Sequence, residues 1–247
     1  MTPDVLLELF ADTAIAVRDA VGSITREALR DRTDVPGQYA LDLVADAAAC
    51  AVLARAPVRI VSEESGVTDR ADARITVVID PIDGSTNCSR GVAYWCTSLC
   101  ALDADGPLAA LVANHPTGSR TTAVRGGGAF RDGARLRPSV VTRLDQSVVA
   151  FGGWPPRPVR TKQSRMLGSI ALELCDVAAG GLDGYLDGGL HVAPWDYLGG
   201  YLVCLEAGAV VRDAAGQPLV SDDIDARRQV VAAGTAELAD TLEEHAK

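Results

Sequence analysis

The chain has 247 residues, of which 48% are hydrophobic and only 4% aromatic, and its formal net charge is −10. An acidic chain without a Lys/Arg cluster is poorly suited to neutralise nucleic-acid phosphates, so we expect no nucleic-acid partner. No apolar run reaches the ~18 residues of a membrane span, and the acidic N-terminus does not resemble a signal peptide. We therefore expect a cytoplasmic protein that makes no membrane contact, in which a bound cation attracts any anionic substrate.

The cysteines give no sign of a metal site or of a disulfide framework. None forms a CxxC pair, and no Cys/His spacing is typical of zinc. Most lie in apolar runs, which favours buried free thiols and a reducing compartment. The six are Cys50, Cys88, Cys96, Cys100, Cys175 and Cys204.

Helical and strand-like patterns alternate along the whole chain. In chain order they predict helices over residues 3–30 (with a break near Gly22) and 39–54, strands over 58–62, 75–79, 94–103, 108–114, 120–130 and 147–151, helices over 168–180 and 195–207, strands ending at 187 and over 210–212 and 230–232, and a helix over 235–246. A stiff Gly/Pro-rich loop at residues 152–158 lies mid-chain. We expect an N-terminal α+β lobe over residues 1–140 and a C-terminal α/β lobe over 141–247.

The most informative stretch is residues 75–87, where a β-branched apolar run leads into two carboxylates and a small polar segment. The run is typical of a buried strand, and Pro81 predicts that the chain turns away from the sheet there. Asp80 and Asp83 offer hard oxygen ligands, and the segment from Gly84 onward can present amide N–H groups to an anion. A plain turn is the alternative, because Asp-Pro and Asp-Gly are common turn dipeptides. The spacing of the acids excludes an EF-hand.

Other acids could join this stretch. Glu63 also follows a strand-like run, and Asp196 stands at a predicted helix start. Carboxylates gathered at one sheet edge raise one another's pKa, and hard divalent cations remove that repulsion. An all-oxygen set selects Mg²⁺ or Mn²⁺ over zinc. The alternatives are a solvated loop for Glu63, a helix cap for Asp196, and an exposed helix position for Asp46.

Three acidic motifs of this chain resemble those of the inositol monophosphatase family. They are EES at residues 63–65, DPIDGSTN at 80–87 and WDYLGG at 195–200, supported by GGGAF at 126–130, DG at 132–133, GS at 168–169 and EAG at 206–208. The resemblance spans roughly residues 40–235. It implies an α+β fold, the layered αβαβα sandwich of the inositol monophosphatase and fructose-1,6-bisphosphatase type.

The resemblance also implies a metal-ligand set, namely the carboxylates of Glu63, Asp80, Asp83 and Asp196 with the main-chain carbonyl of Ile82. These ligands would hold two or three Mg²⁺ ions per active site, with Asp80 as a bridge, and could accept Mn²⁺. Such ions activate a water and stabilise the leaving oxygen.

The remaining catalytic and substrate groups follow from the same resemblance. Asp46 and Ser85 occupy the places of the acid and hydroxyl that orient the attacking water, with Asp42 as a rival acid, and Glu63 completes the catalytic set. Other residues would contact the substrate and its phosphate. They are Gly84, Ser85, Thr86, Ser169, Asp187 and Asp196.

These features predict a Mg²⁺-dependent, lithium-sensitive phosphomonoesterase, a homodimer by resemblance, that hydrolyses a small polyol or sugar-like phosphate such as inositol 1-phosphate. Histidinol phosphate, fructose 1,6-bisphosphate, a 3′-phosphoadenosine nucleotide or a specialised biosynthetic phosphate are alternative substrates, because the 187–194 loop is longer than usual in the family. A non-catalytic relative that binds metal and phosphate is the alternative of another class. His191 either contacts the substrate or is solvated. The basic patch of Arg157, Arg160, Lys162 and Arg165 either contacts an anionic substrate or only lines a mobile loop.

Overall fold

The computed structural model describes residues 1–246. Its α-helices are α1 (Pro3–Gly22), α2 (Ala40–Leu53), α3 (Ser85–Arg90), α4 (Ile170–Ala178), α5 (Pro194–Ala207) and α6 (Ala236–Ala246). Its strands are β1 (Val58–Ser62), β2 (Gly66–Thr68), β3 (Ile75–Asp83), β4 (Cys96–Asp103), β5 (Gly106–Asn114), β6 (Arg120–Val124), β7 (Gly128–Arg131), β8 (Ala134–Arg135), β9 (Val148–Gly152), β10 (Gln163–Arg165), β11 (Gly184–Asp187), β12 (Val210–Asp213) and β13 (Val230–Ala233).

The strands form two mixed sheets. The first has eight strands in the order β2-β1-β3-β4-β5-β6-β7-β8, and the second has five in the order β10-β9-β11-β13-β12. In the first sheet β1 and β3 are parallel neighbours, whereas β3 to β8 form an antiparallel meander. In the second sheet β10, β9 and β11 run parallel. Each sheet therefore has an edge at which parallel strands end together, the usual place for a ligand site in such sheets.

The helices cover these sheets in three layers. Helices α1 and α2 bury Leu6, Phe10 and Leu41 against one face of the first sheet. Helices α4 and α5 lie between the two sheets, within the largest apolar cluster of the described residues. Helix α6 packs through Leu238 and Leu242 on the outer face of the second sheet. This order is the αβαβα sandwich that the sequence predicted, and it confirms the fold class.

Helix α5 approaches its neighbours so closely that two of its positions require glycine. A Cβ at Gly199 would lie 2.5 Å from Ser98 Oγ, and one at Gly200 would lie 2.6 Å from Leu174 Cβ. At its other end, the Glu206 carboxylate accepts hydrogen bonds from two amides of the β6–β7 turn, each at 2.8 Å. The glycine pair thus allows α5 to pack closely, and the Glu206 carboxylate of the EAG motif binds the amides of the GGG motif.

Two sequence predictions of local structure are wrong. Strand β3 does not end before Pro81 but continues to Asp83, with a shift of register against β4 between Asp80 and Asp83. Pro81 is tolerated because its carbonyl accepts the Thr97 hydroxyl at 2.8 Å while Ile82 N donates to the Asp80 carboxylate. The single strand predicted over 120–130 is a hairpin of two strands.

The helix predicted over residues 3–30 ends at Gly22, where a break was expected, and only a short 3₁₀ turn at Ala28–Arg30 follows it. All six cysteines are free thiols. None of the helices among residues 1–246 combines the length and apolar character needed to cross a bilayer.

Candidate active site

The candidate metal acids meet where β1 and β3 end. Because β1 and β3 are parallel neighbours, Glu63, just after β1, lies beside the end of β3, which carries Asp80 and Asp83. Asp196 comes from the first turn of α5, the helix that lies between the two sheets. The structure therefore brings together the four acids from three separate sequence motifs, at the edge where the parallel pair ends.

The acids interact strongly with one another. The surrounding protein and then the charge of Asp196 raise the pKa of Glu63, although the residue is exposed at the surface, where solvent screens these effects. Burial, followed by the charges of Glu63 and Asp83, raises the pKa of Asp80 well above its ordinary value. Burial and the charge of Asp83 raise the pKa of Asp196 to about 7. This mutual repulsion is the electrostatic signature of a site built for positive charge.

The three aspartates are each held by hydrogen bonds from the backbone or a hydroxyl. Asp83 accepts Ser169 Oγ and Ala171 N, both at 2.7 Å, so its carboxylate is anchored at the start of α4. Asp80 Oδ1 accepts Ile82 N at 2.9 Å, and Asp196 Oδ2 accepts Ala193 N at 2.7 Å. For Asp80 and Asp196 each of these bonds occupies one carboxylate oxygen, and the Asp80 carboxyl also interacts with the Glu63 side chain.

The donor chemistry fits divalent cations, but the ligands are not yet arranged around one point. Among residues 1–246, no three His, Cys, Asp or Glu side chains form a ready-made metal-ion site. The available donors are carboxylate oxygens, the type that Mg²⁺ and Mn²⁺ prefer. The Ile82 carbonyl, also expected as a ligand, accepts the Ser85 hydroxyl at 2.9 Å. The site therefore fits divalent cations in the chemistry of its donors rather than in a completed coordination geometry.

Asp46, which was expected to pair with Ser85, makes its hydrogen bonds with other residues. Asp46 Oδ1 accepts the hydroxyls of Ser62 at 2.5 Å and Ser65 at 3.3 Å, which turns it toward β1 and the turn after it. It is Asp42, one helical turn earlier, whose pKa the Ser85 hydroxyl lowers against the larger, opposite effect of burial. Asp42 Oδ1 is buried and has no hydrogen-bond partner within the described residues. Of the two α2 acids, Asp42 is therefore the one whose carboxyl interacts with Ser85.

The proposed phosphate cradle begins at a glycine in the left-handed region, a conformation that glycine adopts readily. Gly84 has φ +95°, and a Cβ there would lie 3.0 Å from Gly168 O and 3.1 Å from Trp95 Cβ. It is followed directly by Ser85 and Thr86 in the first turn of α3, where the first amides have no partner inside the helix. The left-handed turn at Gly84 thus brings these two residues to the edge where β3 ends.

Asp187 is organised differently from the expectation of a substrate contact. It is fully buried, and its carboxylate accepts the amides of Gly189, Leu190 and His191 at 2.7 to 2.9 Å. Burial raises the pKa of this carboxyl, and the amide hydrogen bonds oppose that effect. In this structure Asp187 shapes the 188–191 turn, while His191 is exposed at a left-handed backbone position with φ 56°.

Two residues near the cradle were missed by sequence reasoning. Asn87 Nδ2 donates to Tyr94 O and to Leu167 O, which ties α3 to the segment before α4. Glu173 is buried, and its carboxylate accepts Leu167 N at 2.9 Å. Burial raises the pKa of Glu173 to about 8. An acid within the apolar run of α4 is the sequence signal that could have revealed it.

Comparison with known proteins places the whole chain in one group. Residues 7–247 match the inositol monophosphatase family. A fructose-1,6-bisphosphatase/inositol-1-monophosphatase of Archaeoglobus fulgidus is 33% identical over 238 residues, which cover 92% of each chain. The Nus factor SuhB of Escherichia coli is 32% identical over 209 residues, which cover 76% of each chain.

The fold matches as well. A Pyrococcus horikoshii protein described as similar to inositol-1 monophosphatase superposes with a TM-score of 0.85, covering 99% of this chain and 97% of that one. At 23% identity this likeness shows the fold alone. The family match, by contrast, spans all three acidic motifs. This chain is therefore a phosphoric monoester hydrolase of the inositol monophosphatase family.

Proposed function

We propose that this phosphatase hydrolyses a small polyol or sugar-like phosphate, such as inositol 1-phosphate, with Mg²⁺ held by Glu63, Asp80, Asp83 and Asp196. The observation that carries the proposal is the meeting of four carboxylates from three sequence motifs where β1 and β3 end. Burial, and then the charges of Glu63, Asp83 and Asp196, raise the pKa of Asp80 there. Bound cations would relieve the repulsion among the four carboxylates and so stabilise their charged forms.

Divalent cations bound by these oxygens would lower the pKa of a bound water and stabilise the leaving oxygen. The protein's own part is to orient the reactants. The amides of Gly84, Ser85 and Thr86 bind the phosphate oxygens, as donors at a helix start do. The hydrogen bond from Ser169 holds the Asp83 carboxylate in position near Asp80 during the reaction.

Orientation of the attacking water falls to Asp42 and Ser85 in this proposal, in place of the expected Asp46. Asp42 Oδ1 is a buried acceptor without a partner among residues 1–246, and a water that donates to it would satisfy it. The Ser85 hydroxyl interacts with the same carboxyl and lowers its pKa against the larger effect of burial. Together they would fix the direction in which the water approaches phosphorus.

A bisphosphate substrate is the second candidate. The Archaeoglobus fulgidus relative carries both the fructose-1,6-bisphosphatase and the inositol-1-monophosphatase names. Comparing kcat/KM for inositol 1-phosphate and fructose 1,6-bisphosphate decides between the two. The expected homodimer and lithium sensitivity are part of this proposal, and sizing chromatography and a LiCl titration test them.

The central experiment measures phosphate release by the wild-type enzyme, by Asp80→Asn and by Asp72→Asn, each with Mg²⁺ and after chelation. Asp72 is the matched control, because it is an exposed acid paired with Arg70. We expect chelation or Asp80→Asn to lower the rate at least ~100-fold, the size typical of losing a major electrostatic contribution, and Asp72→Asn to change it little. The proposal would be wrong if neither chelation nor Asp80→Asn changed the rate of phosphate release.

A further inference from the structure

A cavity beside the second sheet has none of the candidate metal acids in its lining. It has a volume of about 610 Å³ and is bounded by the loop after β9 and by β10. Its walls are mainly apolar, and two guanidinium groups are the charged groups among them. The residues that matter here are Phe151, Trp154, Val159, Met166, Arg157 and Arg165. A cavity of this size and composition is typical of small-molecule sites.

The cavity opens on the outer side of the second sheet. Phe151 and Val159 belong to the apolar cluster that also contains the α6 leucines. The candidate metal acids instead meet at the edge of the first sheet and at the starts of α4 and α5, between the sheets, and none of them lines the cavity. The cavity is therefore distinct from the cluster of metal acids, although Met166 in its wall is followed directly by Leu167, which accepts a hydrogen bond from Asn87 of the cradle helix.

The two arginines of the cavity have no carboxylate partner. Within residues 1–246 neither Arg157 nor Arg165 takes part in an ion pair. Arg165 donates instead to Ser164 O and to the Gln163 side chain. In a chain of net charge −10, positive charges left without an acid beside an apolar cavity favour an anionic occupant.

One aromatic side chain of the cavity is exposed. Trp154 leaves 82% of its surface open to solvent, and three of the next four residues are prolines, which restrict the backbone around it. An exposed indole on a stiff loop offers a flat surface for an aromatic or other apolar body. The loop thus supplies both halves of a recognition site, an apolar wall and a positive charge.

We propose that this cavity binds a small anion with an apolar, preferably aromatic, body, its acidic group paired with Arg157 and Arg165. A ligand in this cavity would also lie beside the loop that packs against the 188–191 turn. The backbone of residues 153–155 lies within 2.8 Å of where a Cβ on Gly188 would be, and Gly188 is in the turn that Asp187 organises. The proposal stands whether or not the enzyme's substrate is an inositol phosphate.

The probe for this site is 1-anilinonaphthalene-8-sulfonate, an anion with an aromatic body. Its binding is followed by its own fluorescence and by energy transfer from tryptophan. We expect saturable binding that Arg157→Glu or Arg165→Glu weakens about tenfold, the loss expected for one charge-assisted contact. Trp154→Ala should weaken binding and reduce the energy transfer.

Arg160→Glu is the matched control, because Arg160 lies in the same loop but does not line the cavity. Its effect should stay below about threefold, since it changes the net charge equally without removing a contact. The uncharged analogue N-phenyl-1-naphthylamine should bind more weakly than the sulfonate. Circular dichroism melting curves for each variant show that the fold is kept.

Three results would overturn the proposal. Equal weakening by Arg160→Glu and Arg157→Glu would mean diffuse charge attraction. Displacement of the probe by inorganic phosphate with Mg²⁺ would place it in the phosphate site. Absence of saturable binding to the folded wild-type protein would remove the site altogether. None of these results depends on phosphatase activity, so the proposed function can fail or survive separately.

Discussion

Ser169 Oγ lies 2.7 Å from Asp83 Oδ2 and donates a hydrogen bond to it. The sequence placed Ser169 among the substrate contacts, yet in the structure its hydroxyl and the amide of Ala171 hold a candidate metal ligand. Asp83 thus enters the site already oriented by the start of α4, and its position depends on how α4 packs between the sheets. We regard Ser169 as a residue that positions Asp83.

Replacing Ser169 with alanine should raise the Mg²⁺ concentration needed for half-maximal activity by about tenfold, the lower end of what loss of an outer-shell partner costs. The KM for substrate should change less, because the hydroxyl faces Asp83. Steady-state kinetics at several Mg²⁺ concentrations provide the measurement, with Ser164→Ala as an exposed serine control. A rise confined to the KM for substrate would return Ser169 to the substrate contacts.

The choice between Asp42 and Asp46 is open to a direct comparison. Asp42→Asn should lower kcat about 100-fold, as expected when the group that orients a reacting water is lost. Asp46→Asn should have a far smaller effect on kcat and should destabilise the fold by about 1 kcal/mol, because Asp46 accepts two serine hydroxyls. Kinetics and thermal melts of both variants are needed, and a larger loss of kcat in Asp46→Asn would reverse the assignment.

Gly84 and Gly91 form a matched pair at the two ends of α3. Both have positive φ, but a Cβ on Gly91 meets nothing within 4 Å, whereas one on Gly84 meets Gly168 O at 3.0 Å. Alanine at either site should cost about 1–2 kcal/mol of backbone strain. Only Gly84→Ala should also lower phosphatase activity, because the cradle must move. Equal activities of the two variants would show that the close approach to Gly168 is unimportant.

His115 should make the fold sensitive to acid. Burial lowers its pKa from 6.5 to about 4, so below pH 6.5 the unfolded chain binds a proton that the folded chain does not. Stability from this residue is therefore complete above pH 6.5 and is lost as the pH falls toward 4. We expect the loss to be about 2 kcal/mol, less than the full shift implies, because the ring keeps some solvent contact.

His115→Gln tests this expectation because glutamine does not titrate but can still donate to Thr97. Thr97 Oγ1 donates to Pro81 O and lies 2.7 Å from His115 Nε2, so the ring nitrogen is the donor. Denaturant unfolding at pH 7.5 and pH 4.5 should show a smaller drop for the variant than for the wild type. The same drop in both proteins would assign the acid sensitivity to other groups.

Much of the fold could be read from the sequence because its signals are local. The run before Asp80 predicted a buried strand, and the start of α5 was expected at residue 195, one residue after its observed start. Pro81 misled the prediction because its cost is offset by Thr97, a residue of the next strand that only the pairing of β3 with β4 brings close. A long-range hydrogen bond of this kind leaves no trace at the proline itself.

The sequence predicted which acids form the site better than it predicted which side chains contact each other. The motifs identified Glu63, Asp80 and Asp196 as acids that would meet, and the structure brings them together. They could not decide between Asp42 and Asp46, because both lie on α2 one turn apart. Which of the two acids lies near Ser85 depends on how α2 is rotated against the first sheet. In the observed rotation the Ser62 hydroxyl donates to Asp46. Side-chain rotation of a packed helix is a tertiary property.

Because α4 and α5 pack between the two sheets, the two halves of the chain depend on each other for a complete core. Both helices come from the second half of the sequence, yet their apolar faces complete the core of the first sheet as well as the second. A chain divided in the segment between β8 and β9 would yield two fragments, each with an exposed face that only the other can cover. The fragments should remain inactive apart and recover phosphatase activity on mixing, so the catalytic reaction itself would report the reassembly of a divided protein.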